Sequence, residues 1–105
     1  MQLDKDLMIQ LRDANEAAFR QVFDQYGKKV YRYILHYVKV RVVAEDITQN
    51  VFLRIWEKRG LLDPEKSFEG FIFTIAYRAV MNHFRAHPKR LQSLGWARKW
   101  FITAL

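Results

Sequence analysis

A stripe in the last third of the chain has the composition of a nucleic-acid contact. At steps of three and four, which place side chains on one helix face, stand Phe71, Thr74, Arg78, Asn82, Arg85 and Lys89. Arg and Lys neutralise phosphates, Asn and Thr hydrogen-bond phosphates or base edges, and an aromatic ring stacks on an unpaired base. No acid follows Glu69. The stripe predicts a nucleic-acid surface, although a solvated helix face has the same pattern.

The loop before this stripe contains groups that can hold a base removed from a duplex. Lys66 and Ser67 stand beside Phe68 and Phe71, and together they combine hydrogen bonding with stacking. Such a pocket must offset the cost of unstacking the base. Phe68 also fits a core position, and Ser67 fits the N-cap of the helix that follows.

Residues 44–59, read as a helix, show two different faces. One face predicts a core stripe and contains Ala44, Ile47, Val51 and Ile55. The opposite face contains Asp46, Gln49, Asn50, Leu53 and Glu57, with Trp56 at its edge. Apolar anchors within a polar rim are typical of protein-binding surfaces, but Trp56 can equally widen the core stripe. Geometry alone leaves both interpretations open.

The sequence contains no convincing catalytic site or metal site. His83 and His87 stand four residues apart but supply only two of the usual zinc ligands, and the chain has no Cys. Glu45 and Asp46 are adjacent, so their side chains diverge by about 100° on a helix and form no acid–base pair. The sequence predicts a non-enzyme without a cofactor or metal.

Composition and charge indicate one small basic domain. The 105 residues are 50% hydrophobic, and neither a signal peptide nor an apolar run of membrane-spanning length is visible. A cytoplasmic location is therefore expected. Residues 1–57 contain nine Lys/Arg and eight Asp/Glu, whereas residues 58–105 contain nine and three. This excess favours a polyanionic partner, and charge alone does not distinguish nucleic acid from an anionic membrane.

Helical periodicity runs through the chain and predicts an all-α fold, a compact bundle of three to four helices. A first helix should start near the capping-box sequence of residues 13–16, with a break or bend at Gly27. The apolar residues that follow this start at helical spacing are Ala17, Phe19, Val22, Phe23 and Tyr26. Residues 39–42 are a predicted connection, residues 60–67 a loop, and Pro88 should end the last helix. The residues of this last helix that should face other helices are Phe68, Ile72, Ile75, Ala76, Ala79, Val80 and Phe84. Residues 1–90 form the predicted domain, and residues 91–105 a linker or tail.

Two long segments, AEDITQNVFLRIWEKR (residues 44–59) and SFEGFIFTIAYRAVMNHFR (residues 67–85), resemble region 2 of bacterial sigma factors. The group they resemble is the extracytoplasmic-function (ECF) group, and the phrase FTIAY is similar to its Bacteroides-type members. The resemblance covers about residues 16–90. It implies a helical domain that docks on the clamp helices of the largest subunit of core RNA polymerase and recognises the minus-ten promoter element.

The resemblance also implies roles for particular residues. Those on the polymerase face would be Asp46, Gln49, Asn50, Leu53 and Trp56. The loop from Lys66 to Phe71 would capture a flipped base of the non-template strand. The residues that track promoter DNA would be Arg78, Asn82, Arg85 and Lys89. ECF sigma factors also have anti-sigma regulators, so such a partner is expected.

The sequence departs from the family pattern at several places. Asn50 stands where Glu is usual, Phe71 where Trp or Tyr is common, and Arg78 where Asn is common. No region 4, the helix-turn-helix domain for the minus-thirty-five element, fits in these 105 residues. An alternative is therefore a truncated interaction domain that binds polymerase or an anti-sigma factor without initiating transcription. A third interpretation is membrane-surface binding through residues 96–105.

Overall fold

The computed structural model describes residues 4–86, and this part of the chain contains four α-helices, one 3-10 turn and no β-strand. The helices are α1 (Lys5–Arg12), α2 (Glu16–Val38), α3 (Arg41–Glu57) and α4 (Phe68–Ala86), with the 3-10 turn (Arg59–Leu61) after α3. The predicted all-α bundle is confirmed. Lys89 and the predicted tail lie outside the described residues. No helix within residues 4–86 is long and apolar enough to cross a membrane.

The sequence pattern did not predict α1. The Asp4 carboxylate caps it by accepting a hydrogen bond from the Leu7 N–H at 2.9 Å, and Leu7, Met8 and Leu11 are buried. With only 8 residues, α1 shows too few repeats for periodicity to stand out. A helix does start within residues 13–16 as predicted, at Glu16, but it is the second helix of the chain. Its cap is Asn15, which accepts from the Ala18 N–H at 3.0 Å, whereas Asp13 is the C-cap of α1.

Helix α2 runs without interruption through Gly27, so the predicted break at this residue is wrong. A glycine inside a helix costs about 1 kcal/mol relative to alanine. The neighbouring buried side chains Val22, Tyr26, Val30 and Ile34 follow steps of four on one face of α2. Burial of this column outweighs the local cost of Gly27, since each such side chain contributes about 1.5–3 kcal/mol.

The connection between α2 and α3 is shorter than the predicted segment 39–42. Lys39 adopts a left-handed conformation with φ of 64°, and its N–H donates to the Leu35 carbonyl at 3.0 Å. Val40 then precedes the first residue of α3. A two-residue connection between packed helices makes α2 and α3 an antiparallel hairpin.

The predicted core faces of α3 and α4 are confirmed. The buried α3 residues include Ala44, Ile47, Val51 and Ile55, and Phe52 and Thr48 join them. The buried α4 residues include Phe68, Ile72, Ile75, Ala76, Val80 and Phe84, while Ala79 is only partly buried. Ser67 caps α4 as predicted, because its hydroxyl accepts from the Gly70 N–H at 3.0 Å.

Replacement of Gly27 by Ala tests whether α2 is one continuous helix. A Cβ at this position would lie 3.7 Å from the Phe23 ring, an ordinary van der Waals distance. The substitution is therefore expected to raise the free energy of unfolding by about 0.5–1 kcal/mol, as measured by urea denaturation. Gly60→Ala, in open space outside any α-helix, should change it less. A decrease in stability in Gly27→Ala would indicate a bend that needs glycine.

Candidate protein-binding and nucleic-acid interfaces

The outer face of α3 presents the residues that the sequence pattern grouped together. Asp46, Gln49 and Asn50 are exposed, and Leu53 has 55% of its surface exposed. Trp56 is partly buried at the edge of this face. An exposed leucine surrounded by carboxylate and amide groups is an apolar anchor within a polar rim.

Helix α2 adds two aromatic rings to this face. Phe23 is 47% exposed and lies 4.9 Å from Phe52 between ring centroids, while Phe19 lies 5.2 Å from Trp56. A groove of about 460 Å³ runs between the two helices, here called the apolar furrow, lined by Glu16, Phe19, Phe23, Gln49, Phe52, Leu53 and Trp56. The candidate protein-binding face therefore spans two helices.

The sequence analysis grouped Phe19 and Phe23 with the helically spaced apolar residues of α2 and so missed the furrow. The correction concerns Phe23 above all, because its ring is exposed, as is Ala17 in the same predicted stripe. Helical spacing identifies an apolar face but not the neighbour that covers it. One sequence signal could have revealed the furrow: α2 has more apolar residues than its core contact needs, because the column from Val22 to Ile34 already supplies that contact.

Arg59 fixes the orientation of Trp56. Its guanidinium lies 4.3 Å from the centroid of the Trp56 ring, and its Nη1 donates to the Trp56 carbonyl at 2.7 Å. The cation covers part of the indole and holds it at the end of the furrow. Trp56 thus acts as a rigid wall of the furrow, and Leu53 and Phe23 supply the exposed apolar surface.

The stripe on α4 forms a second candidate interface. Thr74, Arg78, Asn82 and Arg85 are exposed, and Phe71 is partly buried. The Thr74 hydroxyl donates to the Gly70 carbonyl at 2.6 Å, so its oxygen remains able to accept a hydrogen bond from a ligand. Lys89, the last predicted member, lies outside the described residues.

The loop before α4 does not use Phe68 as predicted. Phe68 is 0% exposed and packs against Tyr26 with ring centroids 5.2 Å apart. This ring therefore cannot stack on a base in this structure. Phe68 instead belongs to the core on which the loop rests. Lys66 and Ser67 are exposed, and Phe71 is the more accessible ring.

Charge in the loop and the first turn of α4 is partly neutralised by ion pairs with other elements. Lys5 of α1 pairs with Glu65 at 3.0 Å, and Lys29 of α2 pairs with Glu69 at 3.0 Å. The hydrogen bond from Lys29 holds the pKa of the Glu69 carboxyl below its usual range. Both pairs are largely exposed to solvent, so they position the loop more than they stabilise the fold.

A cleft of about 500 Å³ connects the two interfaces. Its walls are the outer parts of α3 and α4, lined by Ile47, Asn50, Leu53, Arg54, Glu57, Ala79, Asn82 and His83. Asn50 belongs to the predicted protein-binding face and Asn82 to the predicted nucleic-acid stripe. The two faces therefore meet at one border. Within residues 4–86 no group of three or more His, Asp and Glu is placed to hold a metal ion.

Comparison with known proteins gives a consistent family. Residues 22–90 match the family described as Sigma-70 region 2. The ECF RNA polymerase sigma factor BldN of Streptomyces coelicolor is 36% identical over 87 residues, 81% of this chain and 33% of BldN. The ECF RNA polymerase sigma factor RpoE of Cereibacter sphaeroides is 38% identical over 72 residues, 67% of this chain and 40% of RpoE. The RNA polymerase sigma factor CarQ of Myxococcus xanthus is 30% identical over 78 residues, 74% of this chain and 45% of CarQ.

The chain spans between a third and a half of the length of these relatives. The narrower resemblance to Bacteroides-type members stays a prediction. The family match takes in most of α2 and all of α3 and α4, the helices that build both interfaces. The chain therefore belongs to the Sigma-70 region 2 family, in the form found in ECF sigma factors.

Proposed function

We propose that this chain docks on core RNA polymerase and recognises and helps melt the minus-ten element of a promoter in the cytoplasm, without catalysing a reaction itself. The observation that carries the proposal is the shared border of the two interfaces. Asn50 of α3 and Asn82 of α4 line one cleft. A protein partner on α3 and DNA on α4 would then be held side by side on one rigid support.

The polymerase contact is assigned to α3 and the apolar furrow. Its residues are Asp46, Gln49, Asn50, Leu53 and Trp56, and the furrow adds Phe19 and Phe23. The clamp helices of the largest subunit suit such a surface, because a helix binds in an apolar groove through apolar side chains at helical spacing. Asn50 in place of the family's usual Glu lowers the negative charge of this face.

The promoter contact is assigned to α4 and the loop before it. Lys66, Ser67 and Phe71 would hold the flipped base of the non-template strand, and Thr74, Arg78, Asn82 and Arg85 would follow the backbone. The exposed side chains of this stripe include no acid, which supports contact with phosphates. Lys89 is proposed to extend the same path.

A second candidate is a protein-interaction domain that binds polymerase or an anti-sigma factor without initiating transcription. The apolar furrow favours it, because two exposed apolar side chains, Phe23 and Leu53, lie together there and need no DNA to explain them. Core polymerase binding without DNA binding would support this candidate over the first.

Replacement of Leu53 by Ser tests the protein interface. Leu53 is the exposed anchor of α3, so its removal should weaken binding to purified core RNA polymerase by about tenfold or more, as measured by fluorescence anisotropy of the labelled chain. Leu61→Ser is the matched control, because Leu61 is 74% exposed and lies off the furrow. Equal effects of the two substitutions would contradict the assignment of the furrow.

Reversal of charge at Arg85 tests the nucleic-acid interface. Arg85→Glu should weaken binding to a mixed-sequence DNA duplex and lower the slope of log K against log salt by about 0.9 for each phosphate that Arg85 neutralises. Binding to core polymerase should stay unchanged. Arg12→Glu makes the same charge change on exposed α1 and should have a smaller effect on DNA. Weaker polymerase binding by Arg85→Glu would contradict the separation of the two interfaces.

A further inference from the structure

Within residues 4–86 nothing covers the apolar furrow, and the open surface is longer than the furrow itself. A second groove of about 350 Å³ continues the furrow and shares Phe23 and Gln49 with it. This continuation reaches Glu45, near the start of α3. Between Glu45 and Trp56, α3 advances by about 16 Å, which is roughly three helical turns. The open surface can therefore take a segment of about ten residues.

The surroundings of the furrow carry negative charge. The exposed carboxylates that line the furrow, its continuation and the neighbouring cleft are Glu16, Asp24, Glu45 and Glu57. Within residues 4–86 none of the four forms an ion pair. The cations on the same walls are Lys28 and Arg54, so the carboxylates outnumber them. An apolar surface in such surroundings is complementary to an apolar segment that carries positive charge.

The cleft between α3 and α4 leads from the end of α4 to the furrow. Leu53 lines both the cleft and the furrow, while Asn82 and His83 line the α4 side of the cleft. Helix α4 ends at Ala86, about one turn beyond His83. Five extended residues span at most about 18 Å, which exceeds the diameter of a helix, about 10 Å. The chain after residue 90 can therefore reach the furrow.

The sequence after α4 has the composition that this surface would bind. Residues 87–105 lie outside the described residues and contain no Asp or Glu. Their cations are Lys89, Arg90, Arg98 and Lys99. Trp96 and Trp100 stand four positions apart, as do Phe101 and Leu105, and this spacing places two side chains on one helix face. Tryptophan is also among the residues that most often anchor protein interfaces.

The covalent connection to α4 favours this segment over a partner in solution. A segment joined to its binding site by a short linker has an effective concentration on the order of mM. An intrinsic dissociation constant of about 1 mM would then leave the furrow covered in half of the molecules. A free partner of the same intrinsic affinity would have to be present at a comparable concentration.

We propose that residues 91–105, here called the tail segment, dock in the apolar furrow of their own chain. Trp96 and Trp100 lie on the apolar surface, and Arg98 and Lys99 face the carboxylates around it. Docking covers the side chains that are assigned to the polymerase contact, and it lowers the affinity of this face for any protein partner according to the fraction of molecules covered. The inference goes beyond the proposed function and does not require it, because docking is a property of the isolated chain.

A spin label on the tail segment tests the contact in the full chain. The chain contains no Cys, so Ser93→Cys provides a single attachment site for a nitroxide, which broadens the NMR signals of nearby nuclei. The backbone amide signals of Phe23 and Gln49 should lose about half of their intensity or more, since the furrow is covered in at least half of the molecules. The same sample with the nitroxide reduced is the reference. Full intensity at both amides would overturn the proposal.

Two substitutions distinguish docking from mere proximity of the tail segment. Trp100→Ser removes an anchor from the segment, and Leu53→Ser removes an exposed contact from the furrow, so each should restore most of the lost intensity. Leu61→Ser is the matched control, because Leu61 is exposed and does not line the furrow, and it should leave the broadening unchanged. Broadening that persists in both Trp100→Ser and Leu53→Ser would contradict docking.

A mixing experiment identifies the molecule that supplies the segment. Spin-labelled chain without isotopes is mixed with isotope-labelled chain without a spin label, so that only contacts between molecules broaden the signals. The proposal predicts full intensity at Phe23 and Gln49 in this mixture. Broadening as strong as that within one chain would assign the furrow to a second copy and overturn the proposal. Co-sedimentation with anionic phospholipid vesicles that Trp100→Ser abolishes, without broadening in the isolated chain, would overturn it in favour of a membrane surface.

Polymerase binding separates this inference from the proposed function. Trp100→Ser should tighten binding of the full chain to core RNA polymerase by about twofold or more, because a partner binds only those molecules whose furrow is open. Binding no tighter than that of the native chain would show that the tail segment does not cover this face. If the spin-label results hold and neither chain binds polymerase, the proposed function fails while the docking stands.

Discussion

The buried column of α2 is the constraint on which the other elements depend. Val22, Val30 and Ile34 are 0% exposed and Tyr26 is 1% exposed, and α2 packs against α1, α3 and α4. Tyr26 also contacts Phe68, the first residue of α4. Protein interiors are close-packed, so a buried column of this kind tolerates little change in side-chain volume. The position of both candidate interfaces is therefore set by side chains that lie in neither of them.

The division of labour within α3 and α4 follows from helical geometry. Each helix turns one side to the core and leaves the other for a partner, so a single element both stabilises the bundle and presents a surface. On α3, Val51 and Ile55 are 0% exposed while Leu53, between them in sequence, is 55% exposed. The same alternation on α4 leaves Arg78 and Asn82 in solvent above a buried Val80.

Sequence periodicity predicted the parts of the structure that repeat over many turns. The core faces of α3 and α4 and the cap at Ser67 were all visible, because each depends on residues close together in the chain. The features that the sequence did not predict share a different cause. The short α1 shows too few repeats, and the exposure of Phe23 depends on where α3 lies. The sequence left Phe68 open between a core position and a base pocket, and its contact with Tyr26, 42 residues away in the sequence, places it in the core. Patterns along one helix contain no information about such neighbours, so the furrow could be recognised only from the fold.

The short connection between α2 and α3 has a consequence for how the furrow meets a partner. Lys39 and Val40 alone join the two helices, and the left-handed Lys39 closes α2 with a backbone hydrogen bond. At the far end of this hairpin the walls of the furrow are packed together through Phe23 and Phe52, 4.9 Å apart, so they have little freedom to hinge apart. A partner that binds there need not order a loop or select one helix angle among many, and the entropic cost of association is reduced. Selectivity at this surface would then come from shape, because a rigid groove accepts only helices whose anchors already match its spacing.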